Sequence, residues 1–115
     1  EYRELEILKI GRHFRITSNA KIISTRTKIE GDEIKKYLTK NDLVFMAKEF
    51  NGSMIIIIGE PSTEDIEFAA KISGRYSKGK DEKKIKIIYG NYTKPYNNEI
   101  EVVPAQDDDI KEYII

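Results

Sequence analysis

Residues 52–80 read GSMIIIIGEPSTEDIEFAAKISGRYSKGK, and this stretch decides the fold that the sequence predicts. The apolar run at 54–58 lies between two glycines and is typical of a central β-strand that is covered on both faces. Ser62, followed three residues later by Asp65, predicts a capped helix start just after a proline. The helix continues to about Ser77, and its acidic beginning and basic end both suit the helix dipole.

The basic end of that helix, RYSKGK at 75–80, leaves two interpretations open. Its three cations either compensate the helix dipole or contribute to an anion-binding surface. The backbone amides at this end already bond within the helix, so side chains would have to bind any anion. Tyr76 falls on the helical face of Phe68 and Ile72, which favours a core position over a base-stacking one.

The rest of the chain predicts five further strands and a short second helix. The strands are expected at 12–17, 20–26, 43–49, 84–92 and 100–103, and residues 2–10 fit either a strand or a helical turn. The helix is expected within 29–38, starting near Gly31 or Asp32. Ser18-Asn19 is a turn signal, and Asn51-Gly52 is the strongest two-residue hairpin signal. The order ββαββαββ indicates an α+β fold, with two helices packed on an antiparallel or mixed sheet.

Length and composition exclude several kinds of function. With 115 residues we expect a single domain, 1–115, and with no Cys and one His we expect no disulfide, thiolate site or multi-histidine metal site within it. No apolar run approaches the roughly 20 residues that span a bilayer, so we expect no membrane partner. A cytoplasmic location is a separate expectation. Because the chain starts with Glu1 rather than Met, we interpret it as a piece of a longer protein, and the family resemblance described below implies a C-terminal piece.

The charge is balanced overall but unevenly distributed. Twenty basic and 20 acidic residues give a net charge of zero, which argues against a strongly basic nucleic-acid binder. The last nine residues hold four acids and one Lys, so the rest of the chain carries a net charge of +3. We interpret 105–115 as an acidic tail, which is either a solvated end or a competitor for a basic surface, and the pattern favours the solvated end.

A second basic cluster, GRHFR at 11–15, places two Arg, one His and one Phe together. Arg side chains suit phosphate, and a nearby aromatic ring can stack on a base. Strand alternation puts His13 with Arg15 on one face and Arg12 with Phe14 on the other. On pattern alone, an ordinary half-buried strand with Phe14 in the core is favoured, and His13 is predicted to be a polar surface residue. No nucleophile–base pair or Walker-type phosphate loop stands out, which argues against a small enzyme.

Three segments, in this order, resemble the NFACT-R domain family of RNA-binding domains. They are GRHFR (11–15) with AKII (20–23), DLVFMAK (42–48) with NGS (51–53), and Ala69-Ala70 with YSKGK (76–80). The resemblance covers about residues 8–103. Such domains occur in ribosome-quality-control and fibronectin-binding-like proteins, and at the C-terminus of PP-loop tRNA thiouridylase-like proteins. Since the chain closes soon after the sixth predicted strand, it is more similar to the thiouridylase-fused form.

The departures from the family pattern limit what the resemblance implies. Phe45 stands where the family has Trp, Met46 and Met54 stand where it has His, and Thr27 and Gly31 stand where it has Asn. The loss of both His weakens any catalytic or metal role and any base-specific contact from those positions. The cations that remain fit phosphate contact better than base reading. The resemblance thus implies an RNA-binding set of Arg12, His13, Arg15, Arg26, Lys48, Arg75, Tyr76, Lys78 and Lys80.

By this resemblance, the chain is expected to be a non-catalytic module that positions tRNA for a thiouridylase-like enzyme through Arg and Lys contacts to phosphates. No cofactor is expected in the domain itself, since ATP and Mg would belong to a covalently linked PP-loop domain that carries out tRNA thiolation. With few net positive charges, we expect modest affinity and clear salt dependence. The alternative is a protein-interaction or structural module, which the neutral charge and the acidic tail favour.

Overall fold

The computed structural model describes residues 2–15, 20–93 and 96–114. The helices in this part of the chain are α1 (Tyr2–Ile7), α2 (Lys28–Lys35), α3 (Thr63–Arg75) and α4 (Asp107–Ile110). The strands are β1 (Arg12–Arg15), β2 (Ala20–Ser24), β3 (Leu43–Ala47), β4 (Ile55–Gly59), β5 (Ile85–Asn91) and β6 (Asn98–Val102). The predicted α+β class and ββαββαββ order are confirmed, with a short helix before β1 and another after β6.

The six strands form one sheet in the order β1-β2-β4-β3-β5-β6, and every neighbouring pair is antiparallel. The apolar run therefore lies in a central strand, β4, as predicted. Alternate side chains of a strand point to opposite faces of the sheet. Ile55 and Ile57 pack in the cluster beneath α3, while Ile56 packs with Ile7 of α1 and Ile34 of α2. Helices consequently cover both faces of the sheet.

The long helix α3 begins with the cap that the sequence predicts. Ser62 Oγ accepts a hydrogen bond from Asp65 N at 3.1 Å, and the Asp65 carboxylate accepts one from Ser62 N at 2.9 Å. This reciprocal capping box satisfies two backbone donors that the first turn leaves unpaired. Ala69, Ala70 and Ile72 are fully buried against the sheet, so the helix body belongs to the core.

The prediction that α2 starts near Gly31 is wrong by about one turn. The helix begins at Lys28, and Thr27 is its N-cap, whose Oγ1 accepts a hydrogen bond from Glu30 N at 3.1 Å. A Thr followed three residues later by Glu is itself a helix-start signal. The earlier start adds Lys28 and the acidic Glu30 to the first turn of α2.

Asn51-Gly52 does not form the predicted two-residue hairpin turn. β3 and β4 do pair as a hairpin, but residues 48–54 connect them. Gly52 instead forms an isolated antiparallel bridge with Ser77, just after α3. A Cβ at position 52 would lie 2.7 Å from Ser77 Cβ and 2.8 Å from Ser77 Cα, so the close approach of these two backbones requires glycine. The predicted Ser18-Asn19 turn lies outside the described residues.

The acidic segment after β6 combines exposed carboxylates with buried apolar side chains, so the favoured interpretation as a solvated end is incomplete. Its three successive Asp residues are exposed, but Ile110 is buried. The Tyr113 ring packs edge-on against Phe68 at 5.1 Å between centroids. Ile114 forms an antiparallel bridge with Phe14 of the edge strand β1. The segment therefore covers part of a sheet edge that would otherwise be unpaired.

Candidate nucleic-acid interface

A groove of about 530 Å³ opens where α2 begins, α3 ends and the β3–β4 connection crosses between them. We call it the α2–α3 groove. Its volume is within the range of clefts that bind small ligands. The residues that line it are Thr25, Arg26, Thr27, Lys28, Gly31, Asp32, Lys35, Met46, Asn51, Gly52, Ser53, Met54, Tyr76, Ser77, Lys78 and Tyr96.

Backbone hydrogen bonds tie the elements around this groove together. Lys78 N donates to Asn51 O at 2.8 Å, and Ser53 N donates to Tyr76 O at 3.0 Å, which joins the end of α3 to the β3–β4 connection. Thr25 Oγ1 donates to Met54 O at 3.1 Å and accepts from Met54 N at 3.2 Å. Because these backbone groups are bonded within the protein, the groove offers a ligand mainly side chains.

The charge of the groove is positive. Four of its lining residues are basic and one, Asp32, is acidic. Within 2–15, 20–93 and 96–114, the exposed side chains of Lys28, Lys35 and Lys78 make no ion pair or hydrogen bond. Clustered cations without internal partners attract anions, and a polyanion gains most because it can contact several of them at once.

The fourth cation of the groove, Arg26, is neutralised within the protein. Its Nη2 lies 2.8 Å from Glu30 Oε2, and its backbone N donates to Glu30 Oε1 at 2.7 Å. Gly11 N also donates to Glu30 Oε2, at 3.3 Å. The Arg26 side-chain hydrogen bond is the main reason that the pKa of Glu30 falls from 4.5 to about 2. Glu30 thus joins the start of β1, the end of β2 and the first turn of α2.

Replacing Glu30 by Gln is expected to make stability less sensitive to acid. The folded pKa of about 2 is below the ordinary value of 4.5, so the contribution of the carboxylate is complete above pH 4.5 and is lost as the pH falls towards 2. Urea unfolding between these pH values should show that the free energy of unfolding falls less steeply with decreasing pH for Glu30→Gln than for the wild type. At neutral pH the variant should be less stable by up to about 1 kcal/mol, because the ion pair is partly exposed.

The control for this measurement is Glu33→Gln in the same helix. Glu33 forms an exposed ion pair with Lys36 at 3.5 Å and holds no backbone donor of another element. Equal pH dependence for the two variants would show that the links of Glu30 to Arg26 and Gly11 do not matter for stability.

The structure brings four of the nine sequence-predicted residues together. Arg26, Tyr76 and Lys78 line the α2–α3 groove. Arg12 reaches this region from β1, because its Nη1 donates to Tyr76 Oη at 3.3 Å. Arg12 and Arg26 also share a smaller cleft of about 270 Å³ beside the groove. The first Arg of GRHFR and the end of α3 therefore adjoin, although they are far apart in the sequence.

His13 is not the polar surface residue that the sequence predicts. Its side chain is buried, and its Nε2 lies 2.9 Å from Ile10 O. Burial is the main cause that lowers its pKa below 6.5, and the nearby charges of Lys21 and Arg26 lower it further. The reason is tertiary: the segment that leads from α1 into β1 packs over this face of the sheet.

The other four predicted residues lie outside the groove. Arg15 is exposed at the opposite end of β1 from Arg12. Lys48 Nζ donates to Glu99 Oε1 at 2.7 Å, and this hydrogen bond is the main cause that raises the pKa of Lys48. Arg75 Nε donates to Asp107 Oδ1 at 2.9 Å. The acidic segment is therefore already paired with one of the side chains that were predicted to contact phosphate. Lys80 is exposed and has no ion-pair partner within the described ranges.

Among the groove residues that sequence reasoning missed are Lys28, Lys35, Met46, Met54 and Tyr96. Lys28 and Lys35 are seven residues apart in α2, which places them on one helix face two turns apart, and the Thr27–Glu30 cap was the signal that could have found this. The two Met residues were recognised only as departures from a family pattern. No local signal indicates Tyr96, since its place depends on how the β5–β6 connection crosses the end of β3.

Two further features are absent from the described ranges. No group of three or more His, Cys, Asp or Glu side chains there is arranged to hold a metal ion. None of the described helices combines the length and apolar character that crossing a membrane requires.

Comparisons with known proteins match the chain to a family and to a fold. The sequence matches the family described as NFACT protein RNA binding domain over residues 11–114. Among solved structures, the C-terminal part of the fibronectin/fibrinogen-binding protein from Streptococcus suis superposes with a TM-score of 0.79 at 22% sequence identity. The match covers 92% of this chain and 50% of that one, so the present chain spans half of its length. At this identity the likeness establishes the fold alone. No curated protein matches the sequence.

Proposed function

The chain belongs to the NFACT protein RNA binding domain family, and from this premise we propose that it binds RNA through the α2–α3 groove. The observation that carries the proposal is the set of three lysines, Lys28, Lys35 and Lys78, which surround the groove without internal ion-pair partners in the described chain. Lys28 and Lys35 lie in α2 and Lys78 lies in the turn after α3, and only the folded structure brings these segments together. Phosphate groups are the ligands that such clustered cations suit.

Arg12 and Tyr76 extend this surface towards β1. The hydrogen bond between them leaves the other guanidinium nitrogens of Arg12 available at an exposed position. An RNA backbone that crosses the groove can therefore continue along Arg12. Arg15, Lys48, Arg75 and Lys80 would contribute only longer-range attraction, because they lie outside the groove.

A finer part of the proposal concerns the identity of the RNA. We propose that it is tRNA, and that the domain positions it in the cytoplasm for a covalently linked PP-loop domain of the thiouridylase type. The order of the sequence segments supports the NFACT-R family, and domains of this family occur at the C-terminus of PP-loop tRNA thiouridylase-like proteins. ATP and Mg would act in the linked domain, and the present chain would contribute only affinity and orientation.

The proposal is tested by titrating a fluorescent RNA with the wild type, Lys35→Glu and Lys36→Glu at low salt. Both substitutions reverse the charge of an exposed lysine in or beside α2, but only Lys35 lines the groove. Lys35→Glu is expected to weaken binding about tenfold through lost attraction and new repulsion, and Lys36→Glu by much less. No RNA binding by the wild type, or equal losses in the two variants, would contradict the proposal. Comparing tRNA with an unrelated RNA of equal length tests the finer part.

A second candidate function is docking on a partner protein. The observation that favours it is the exposure of three large apolar side chains, Leu5, Leu8 and Ile29, which are 61%, 52% and 75% exposed. Exposed apolar groups of this kind occur at protein interfaces. A concentration-dependent mass in light scattering, abolished by Leu5→Ser with Leu8→Ser, would support this function. A constant monomer mass in the presence of the neighbouring domain would contradict it.

A further inference from the structure

We propose that the α2–α3 groove holds an unpaired RNA base against Met46 and Met54, so that the domain prefers single-stranded to double-stranded RNA. This inference rests on the proposed function and adds the class of RNA that the groove accepts. Three observations support it: the position of the two methionines, the backbone groups of Met54 that are already hydrogen-bonded within the protein, and the lysines at the rim of the groove.

The two methionines are neighbours across the sheet. In the register of β3 and β4, Val44 lies opposite Ile56 and Phe45 lies opposite Ile55. If this register is extended by one residue, Met46, which follows Phe45, lies opposite Met54, which precedes Ile55. They continue the row of Val44 and Ile56 on the face that packs against α1 and α2. Both are half-buried and line the groove, whereas Val44 and Ile56 are fully covered. The row thus becomes accessible at the groove.

The surface that the methionines offer suits a flat aromatic ring. A thioether side chain is unbranched and polarizable, and it packs well against ring systems. Tyr96 Oη donates a hydrogen bond to Met46 Sδ at 3.1 Å, so a tyrosine hydroxyl contacts this sulfur. The backbone of Met54 is fully bonded to Thr25, so contact there is with the side chain. Every base has a π-face, so such contact tolerates any sequence.

The positive charge at the mouth of the groove determines which aromatic ligand fits. A base packed against Met46 and Met54 carries its ribose and phosphates to the mouth of the groove, where Lys28, Lys35 and Lys78 have no other ion-pair partner among the described residues. This charge favours a nucleotide chain over an apolar peptide, which would leave the cations unmatched. In a duplex the faces of the bases are stacked on one another, so only an unpaired base can enter.

The test compares three RNAs by fluorescence anisotropy: a single strand of mixed sequence, the same strand with abasic sites at its central positions, and the duplex. Abasic sites keep the phosphates and remove the bases. The wild type is expected to bind the intact strand about tenfold more tightly than the abasic strand or the duplex. Met46→Ala combined with Met54→Ala should remove this difference and leave binding to the abasic strand unchanged. Ile29→Ala, which truncates an exposed apolar residue of α2 outside the groove, should change neither.

The outcomes separate this inference from the proposed function. Equal wild-type affinity for intact and abasic strands would overturn base binding while leaving phosphate binding in place. Equal weakening of both strands by the methionine variant would overturn it as well. Absence of any RNA binding would refute the proposed function and, with it, this inference. If the double alanine variant unfolds in a thermal melt, the wild-type comparison of intact and abasic strands still decides the question.

Discussion

Phe45→Ala is expected to lower the free energy of unfolding by about 3–5 kcal/mol, a large share of the stability of a domain of this size. Phe45 is fully buried in β3, between β4 and β5, and packs in the cluster beneath α3. Its ring stacks on Tyr89 with centroids 5.0 Å apart and planes 10° apart. Alanine would remove the apolar contacts of the ring and the stacking, and would leave a cavity that rigid strands cannot close.

Urea unfolding of the wild type, Phe45→Ala and Phe50→Ala measures this effect. Phe50 is the matched control because it is also a phenylalanine, but it is half-buried in the β3–β4 connection. Its truncation should cost clearly less. If the two variants lose equal stability, the ring of Phe45 is not the central packing element that its burial indicates.

Replacing Lys28, Lys35 and Lys78 together by alanine is expected to remove most of the salt dependence of RNA binding. When the logarithm of the binding constant is plotted against the logarithm of the salt concentration, the slope is negative. Each phosphate contact to a single strand makes this slope more negative by about 0.7. The three lysines contribute about −2 to the slope, so through them alone a fourfold rise in salt should weaken wild-type binding about twentyfold. Binding by the triple variant should be weak at every salt concentration, with only the slope of about −0.7 that a phosphate contact to Arg12 contributes.

The control for net charge replaces Lys9, Lys36 and Lys111 by alanine. These lysines lie outside the groove, and each forms an ion pair with a nearby acid. The two triple variants have the same net charge, so long-range attraction changes equally in both. A slope that falls equally in both would show that RNA senses the overall charge rather than the α2–α3 groove.

Elements with a local cause could be predicted from the sequence. The run at 54–58 has no polar interruption, so its place in the centre of the sheet followed directly. The Ser62–Asp65 cap lies within one turn and marks the start of α3. At the start of α2 two local signals compete. The glycine and acid at 31–32 predict a start near Gly31, whereas the Thr27–Glu30 cap indicates the start at Lys28 that the structure has.

The candidate site could be predicted only in part, because most of its residues are far apart in the chain. The resemblance singled out Arg26, Tyr76 and Lys78, and these do line the groove. It also singled out His13, which the packing of α1 buries, and Arg75, which Asp107 binds. Alternation along β1 correctly separated the faces of Arg12 and His13, but it could not show that both faces are covered.

The strands, the long helix and the α+β class could be predicted from the sequence, because period, caps and apolar runs act over a few residues. Which cations share a surface depends on the tertiary structure. The antiparallel register of β3 and β4 sets Met46 beside Met54, and the Gly52–Ser77 bridge fixes the end of α3 against the β3–β4 connection. Such contacts depend on where distant elements meet, so the basic end at 75–80 contributes Tyr76 and Lys78 to the groove and leaves Arg75 and Lys80 outside it.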